Sequence, residues 1–423
     1  MFRPPIALLV SLASAFLLIG PDAPAAHAAT GDIRQFPADN DLPYEIVPGP
    51  DGNLWFTENG AFQIGRITTK GIVTEFPIPG AGGTGITTGP DGNLWFVDFT
   101  GNAIDRITPS GAFTQFSGLT DGTRGYITTG PDGNLWFTEG GHIGRITTSG
   151  TVTQFSVPSD SNPVAITAGP DGKLWFTDDT DNPAPDRIGR ITTSGTVNEY
   201  DLPIGHRPQG IAPGPDGNLW FAEIGSPQEI GKITTSGTIT EFPVPCTCGA
   251  PYDIGPGPDG NLWSTDFVGL LIRRITPSGT ITEFPVPTTS NLLGSAPGPD
   301  GNVWFTEVNA NNVDRATAAA PKTAYVLSMD AGFAPKTVSL KKQGFTLKWM
   351  FLGPNTHSAT DSSGMGLFDS GTHSFVRGQC AASGRGAASR LGPTPWPHQS
   401  FLYADCALLT PPCNPGAVIP EAG

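Results

Sequence analysis

Apolar and polar positions along this chain follow a pattern that returns. Gly49-Pro50-Asp51-Gly52-Asn53-Leu54-Trp55-Phe56-Thr57-Glu58 sets an apolar triplet between a turn sequence and a carboxylate. The same arrangement recurs around Trp95, Trp136, Trp175, Trp220, Trp263 and Trp304, at steps of 39 to 45 residues. A period in that range marks a stacked or radial array of one small unit. Within a unit, Ile46 to Gly49 predicts a short strand, and Pro50-Asp51-Gly52 places proline and glycine where a type I turn takes them. Asn53 to Glu58 predicts a second strand, with Leu54 and Phe56 on one face and Trp55 on the other. Being apolar on both faces, it must be covered on both. Ile64 to Thr68 predicts a third strand. Lys70-Gly71 then turns the chain into a fourth at Ile72 to Phe76, ended by Pro77, which has no N–H for a ladder. Four such strands make one antiparallel blade of a β-propeller.

The ends of the pattern give the blade count. Third strands recur at Ile104, Ile143, Ile188, Ile230, Ile272 and Val313, but the seventh copy stops after Arg315 without a fourth strand. That missing pattern stands alone near the start, where Gly31, Ile33, Gln35, Phe36 and Pro37 match Gly71, Val73, Glu75, Phe76 and Pro77. The expectation is an all-β chain with a seven-bladed β-propeller over residues 31–320, closed by an N-terminal strand that removes its open sheet edges. From Pro321 the period stops. Residues 321–373 are expected to form a small, incomplete β-sandwich-like module, with strands at Thr323–Met329 and Phe345–Phe351 and Val338-Ser339-Leu340 between them. Residues 374–423 lack alternation and read as an irregular tail without strands.

Composition changes this picture in three places. Gly 56 and Pro 43 are high, yet they fall in register with the repeat and so serve its turns. A net charge of −15 removes nucleic acid as a partner, for which a basic stripe is required, and favours a cationic ligand or divalent metal. At the N-terminus, Arg3, the apolar run Ile6 to Ile19 and Ala26-His27-Ala28 predict a signal peptide over residues 1–28. The alternative is a retained anchor, for which the run is short. A secreted or periplasmic chain follows, monomeric and free of the membrane after cleavage. The five cysteines, an odd number, leave at least one thiol unpaired, and Cys246-Thr-Cys248 lacks the spacing of zinc and redox motifs.

Strand direction places Glu58, Asp98, Glu139, Asp178, Glu223, Asp266 and Glu307 at one end of the ring. As hard oxygen donors they are candidate ligands of a divalent metal. The alternative is that each pairs, within its blade or with the next, with a strand-three base: Arg66, Arg106, Arg145, Arg190, Lys232, Arg274 or Arg315. Residues that break the repeat at the same end are candidates for function. Tyr44, Tyr126, Tyr252 and Arg207 are candidate ligand contacts, and His206 with Glu223 is a candidate catalytic pair. Arg124 and Asp253 lie beside these tyrosines, and His142 is the other propeller histidine. The acidic loop of blade four (Asp178, Asp179, Asp181, Asn182, Asp186) reads either as a calcium site or as a solvated loop.

The repeat Gly-Pro-Asp-Gly-Asn-Leu-Trp-Phe-Thr-Glu, followed by Ile-Gly-Arg-Ile-Thr-Thr, resembles the virginiamycin B (streptogramin) lyase family and its NHL-like relatives over residues 31–317. The resemblance implies a seven-bladed propeller that linearises a cyclic depsipeptide antibiotic by elimination, using Mg²⁺ and a His–Glu pair at the cavity mouth. In such chemistry a base removes a proton α to a carbonyl and the metal stabilises the developing enolate. Here Tyr44, Tyr126 and Tyr252 occupy the positions just before the strand-one isoleucine, and His206, five residues before Ile211, is the nearest histidine to Glu223. Two functions follow. One is a propeller that binds a small molecule or glycan at its acidic mouth, and the other is a Mg²⁺-dependent carbon–oxygen lyase. Further on, Gly332-Phe333-Ala334-Pro335, Leu347-Lys348-Trp349 and Asn355-Thr356-His357-Ser358 resemble the first half of a plastocyanin-like cupredoxin, with His357 as first copper ligand. Cys406 and Cys413 have no histidine after them and Met365 precedes both, so a complete blue-copper set is not expected.

Overall fold

One turn builds every blade. In blade one the Gly52 N–H donates to the Gly49 carbonyl, and the Asp51 carboxylate accepts both the Asn53 N–H at 3.1 Å and the indole N–H of Trp55 at 3.0 Å. The side chain of Asp51 thereby ties the turn to the strand that follows and fixes the indole. Gly49 has to be glycine, because a Cβ there would lie 2.1 Å from the indole ring. The indole-to-aspartate bond recurs in all seven blades, from 2.9 to 3.1 Å.

Each tryptophan is buried between blades and capped on its ring. Trp55 stacks on Phe76 at 5.1 Å between ring centres, and Arg66 lies over it at 5.4 Å while reaching Asp51 at 3.5 Å. Arg106, Arg145, Arg190, Lys232 and Arg315 make the same pairing with the turn aspartate of their own blade. This corrects the expectation that the strand-three bases neutralise the carboxylates that end strand two. The register is the reason: Trp55 faces Arg66, three residues and about 10 Å of strand away from Glu58. Arg274 of blade six sits over the Phe284 ring.

A computed structural model describes residues 30–318, apart from 39–41, 61, 80–81, 118, 120–124, 159–160, 181–184 and 246–248, and beyond residue 318 only strands between 323 and 383. Blade one consists of Pro43–Pro48, Leu54–Glu58, Gln63–Ile67 and Val73–Pro77, paired in that order. Blades two to six repeat it from Gly83–Thr88, Ile127–Thr129, Pro163–Ala168, Pro208–Pro213 and Pro251–Pro256. Blade seven takes three strands from Leu292–Pro297, Val303–Glu307 and Asn312–Ala316, and its fourth from the N-terminal Ile33–Pro37. Phe36 lies opposite Val313 and stacks on Trp304 at 5.1 Å, so the closing strand brings its own aromatic cap. First strands pack against the first strands of both neighbouring blades, forming the inner ring. The second strands are buried at every position, as a strand apolar on both faces must be.

Beyond the ring, Thr323–Met329 pairs parallel with Thr346–Phe351, which pairs antiparallel with Gln379–Ser383. The last strand corrects the expectation of a strandless tail from residue 374. Its small residues show no alternation, and the neighbouring strand supplies the pairing that its sequence does not announce. The signal peptide, Val338-Ser339-Leu340, Arg124, the cysteine pair 246/248, Cys406 and Cys413 lie outside the described residues. No helix among the described residues is long and apolar enough to cross a membrane.

Candidate functional site

Where the first strands begin, three blades meet on the axis. A register shift after Pro43 turns Tyr44 and Glu45 out of the regular ladder, and the same shift occurs after Pro251, before Tyr252 and Asp253. The Tyr44 and Tyr252 hydroxyls come within 3.3 Å, and Tyr252 also hydrogen-bonds to Tyr126. These residues belong to blades one, six and three, no two of them adjacent, so the contacts cross the central channel. Tyr252 in turn stacks on Phe267 of the next loop. Glu45 and Asp253 are buried beneath the phenols, and Asp253 accepts the Ser295 N–H and hydroxyl, each at 2.8 Å. Burial, aided by the charge of Asp253, holds the Glu45 carboxyl well above the usual range. Burial also raises all three phenols, which therefore stay protonated and offer O–H donors.

A second cluster belongs to blade five. His206, in the loop before Pro208–Pro213, is 5% exposed. Its Nδ1 lies 3.2 Å from Glu223 Oε1, 3.4 Å from Glu241 Oε1 and 3.8 Å from Glu229 Oε2. Glu223 ends strand two with no exposed surface, and Glu229 stands opposite it at the start of strand three. Burial, with the charges of Glu241 and Glu229, pushes the Glu223 carboxyl up to about 9. The histidine loop is held from blade four. Asp186 accepts the N–H groups of Gly205 and Arg207 at 3.1 and 2.9 Å, and Asp179 accepts the Arg207 side chain at 3.2 Å. Arg207 takes a φ of 50°, an unusual value for a residue with a side chain, which throws His206 inward while Arg207 itself stays more than half exposed. Two aspartates of the blade-four acidic loop are thus engaged in holding the neighbouring blade, while residues 181–184 lie outside the described residues.

The seven carboxylates expected to converge do not share a site. Among the described residues no three of them bring ligand atoms together, and Glu223 alone enters such a group, with His206, Glu229 and Glu241. The others lie at the buried ends of separate second strands. Asp98 accepts the N–H groups of Gly82 and Gly101, Glu139 accepts Gln154, and Glu307 accepts Gln35 and Asn312. Asp178 is 3.8 Å from Arg187, Asp266 is paired with Arg273, and Glu58 stands opposite Gln63. The second strand is not the innermost one of its blade. His142 is bonded to the Gly140 carbonyl at 3.2 Å, away from the blade-five cluster. His357 lies in the strand Thr356–Thr360, with His373 as its register partner.

Sequence reasoning singled out His206, Glu223, the three tyrosines and Arg207, and missed Glu45, Glu229 and Glu241. A signal for the last two was present. Aligned by blade, the positions of Glu223, Glu229 and Glu241 are acidic together in blade five alone.

The virginiamycin B lyase family profile matches residues 23–204 and 126–349 of the chain. Among solved structures, a streptogramin B lyase is 34% identical with a TM-score of 0.63, over 68% of this chain and 97% of that one. The virginiamycin B lyase of Staphylococcus aureus matches with the same identity and TM-score, over 68% and 99% of the two chains. A catalytically inactive histidine-to-alanine variant of the Staphylococcus aureus enzyme, solved with quinupristin, matches equally. No curated protein matches.

Proposed function

The chain belongs to the virginiamycin B lyase family, and on that premise we propose that it is an exported propeller that binds an amphipathic macrocycle, of the cyclic depsipeptide class, over the mouth where its first strands begin. One observation carries this reading. Of the six large apolar side chains exposed among the described residues, Phe62, Phe99, Ile204, Phe267 and Val268 all stand in loops at that mouth, and only Ile72 lies at the other end. Single exposed apolar residues are ordinary, whereas their collection on one end marks a contact surface. At its centre the phenols of Tyr44, Tyr126 and Tyr252 offer protonated hydroxyls, which suit the amide and ester carbonyls of such a ring.

Turnover is the second reading, favoured by the His206–Glu223 contact at 3.2 Å. In the elimination a base takes a proton α to a carbonyl, its electron pair forms a carbon–carbon double bond, and the ester leaves as a carboxylate. Where this reading holds, a divalent metal ion held by the blade-five donors would supply Lewis-acid stabilisation of the enolate. Binding is the better supported reading because His206 Nδ1 is already taken up among three carboxylates, at 3.2 to 3.8 Å.

Isothermal titration with quinupristin, followed by mass spectrometry, tests both. Saturable binding is expected, weakened about thirtyfold by joint Tyr44→Phe and Tyr252→Phe changes that remove two donors of about 1 kcal/mol each. No binding, or binding indifferent to these changes and to Phe267→Ala, overturns the reading. A ring-opened product of unchanged mass, lost in His206→Ala, replaces binding by lyase activity.

A further inference from the structure

Blade five differs from its six neighbours in charge. At three positions that the repeat brings together, the end of strand two, the start of strand three and the middle of strand four, it places Glu223, Glu229 and Glu241. Elsewhere something neutral or basic intervenes. Arg187 and Arg273 enter the set in blades four and six, Gln115, Gln154 and Gln35 replace the strand-four acid in blades two, three and seven, and Gln63 takes the strand-three position in blade one. Directly opposed like charges on paired strands are destabilising, so the Glu223–Glu229 pairing requires compensation. The protein supplies one imidazole for three carboxylates.

A second observation points to what completes the set. Glu223 has no exposed surface, and its Oε2 has no hydrogen-bond partner; Glu241 Oε1 is likewise buried without one. Buried carboxylate oxygens are almost always satisfied, by protein, water or metal. We propose that His206, Glu223, Glu229 and Glu241 form a divalent cation site that selects a first-row transition ion, Mn²⁺ or Zn²⁺, over Mg²⁺ and Ca²⁺. Donor spacing and donor type both support it. The four ligand atoms lie within 4.8 Å of one another, and those around His206 Nδ1 are 3.2 to 3.8 Å away. An ion with bonds of about 2.1 Å holds neighbouring donors about 3.0 to 3.4 Å apart, so the cluster needs only a small contraction. Imidazole is the discriminating donor: Mg²⁺ and Ca²⁺ take oxygen, while a mixed nitrogen and oxygen set suits the transition ions. Asp186, which fixes Gly205 and Arg207 on either side of His206, orients that ligand from outside the set.

The proposal rests on blade five and is separable from the macrocycle reading, whose residues lie on the axis and rim. The full chain, stripped with chelator and dialysed, is titrated by calorimetry with MnCl₂, ZnCl₂, MgCl₂ and CaCl₂, with circular dichroism as the control for folding. One equivalent of Mn²⁺ or Zn²⁺ is expected to bind at least tenfold more tightly than Mg²⁺ or Ca²⁺. Glu241→Gln and Glu229→Gln, both conservative, should each weaken it tenfold or more, while Glu75→Gln at the matching position of blade one should not. Folded protein that takes up neither ion at millimolar concentration overturns the proposal. So does uptake unaffected by the Glu229 and Glu241 changes, or Mg²⁺ binding as tight as Mn²⁺. Loss of quinupristin binding with metal uptake intact would sink the macrocycle reading and leave this one standing.

Discussion

Ser264 and Arg273 show how one residue is chosen by another across a ladder. In blade one the third strand carries Gly65 opposite Phe56, and a Cβ on that glycine would lie 2.2 Å from the ring. In blade six the pair is inverted to Ser264 opposite Arg273, and the space of the missing ring holds a fully buried guanidinium bonded to Asp266 and, at 3.1 Å, to Glu283. Arg273→Gly should cost about 3–5 kcal/mol by stranding the buried Asp266 charge. Ser264→Phe alone should cost about 1–3 kcal/mol by overpacking against the arginine. Combined, the two restore the pairing of blade one, and the double variant should be more stable than the sum of the single changes allows; urea titration of all four proteins reads this coupling. Blades two and seven fill the same position with Asp105 and Asp314. Burial, with the charge of Asp98 beside one and Glu307 beside the other, pushes them up to about 8 and about 10. An unfolded aspartate ionises near pH 4, so between about pH 4 and pH 8 the folded chain holds protons the unfolded chain has lost. Stability should therefore fall as pH rises through that window, and continue to fall towards pH 10 for Asp314. Melting temperatures from pH 5 to 9 should decline less steeply in Asp105→Asn with Asp314→Asn, and an unchanged slope would show that neither group holds its proton.

At the scale of the element, the N-terminal strand Ile33–Pro37 is, among the described residues, the one ring strand whose partner is distant in sequence. Its removal exposes the whole length of Asn312–Ala316 and takes Phe36 off Trp304. A chain beginning after Pro37 should lose melting temperature in a single cooperative transition, whereas a frayed end would leave the main transition in place. The strand was legible because the repeat leaves a gap after Arg315 and a matching pattern before Pro37. Strand three was legible as a strand but not in its partners. Arg66 was available to either carboxylate of its blade, and only the register opposite Trp55 assigns it to Asp51. The same limit hid Glu229 and Glu241, which lie 6 and 18 residues beyond Glu223 in sequence and meet it only when strands two, three and four are aligned. Tyr44, Tyr126 and Tyr252 were found for the opposite reason: each puts an aromatic ring where the other first strands carry Thr84, Val164, Gln209 and Leu293.

For the molecule as a whole, the two ends of the ring differ in kind. One end carries tight turns whose aspartates hold indoles and guanidinium groups, and the other carries loops of variable length with phenols, exposed phenylalanines and the blade-five acids. Changes at the first end should lower stability without touching ligands, and changes at the second should do the reverse. Asp216→Ala, which frees the Trp220 indole, and Phe267→Ala are the paired test, read by melting temperature and by titration with quinupristin. The closing strand also sets an order in time. Gln35 hydrogen-bonds to Glu307, 272 positions further along, so the first strand of the ring to be synthesised is the last to find its partner. At ribosomal speeds that wait is on the order of tens of seconds. Until then every nascent chain, however many blades it has finished, ends in an unpaired sheet edge that proteases and chaperones can recognise. Closure of the ring therefore waits for Asn312–Ala316 to be made, and a chain that stops before that strand announces itself by failing to close.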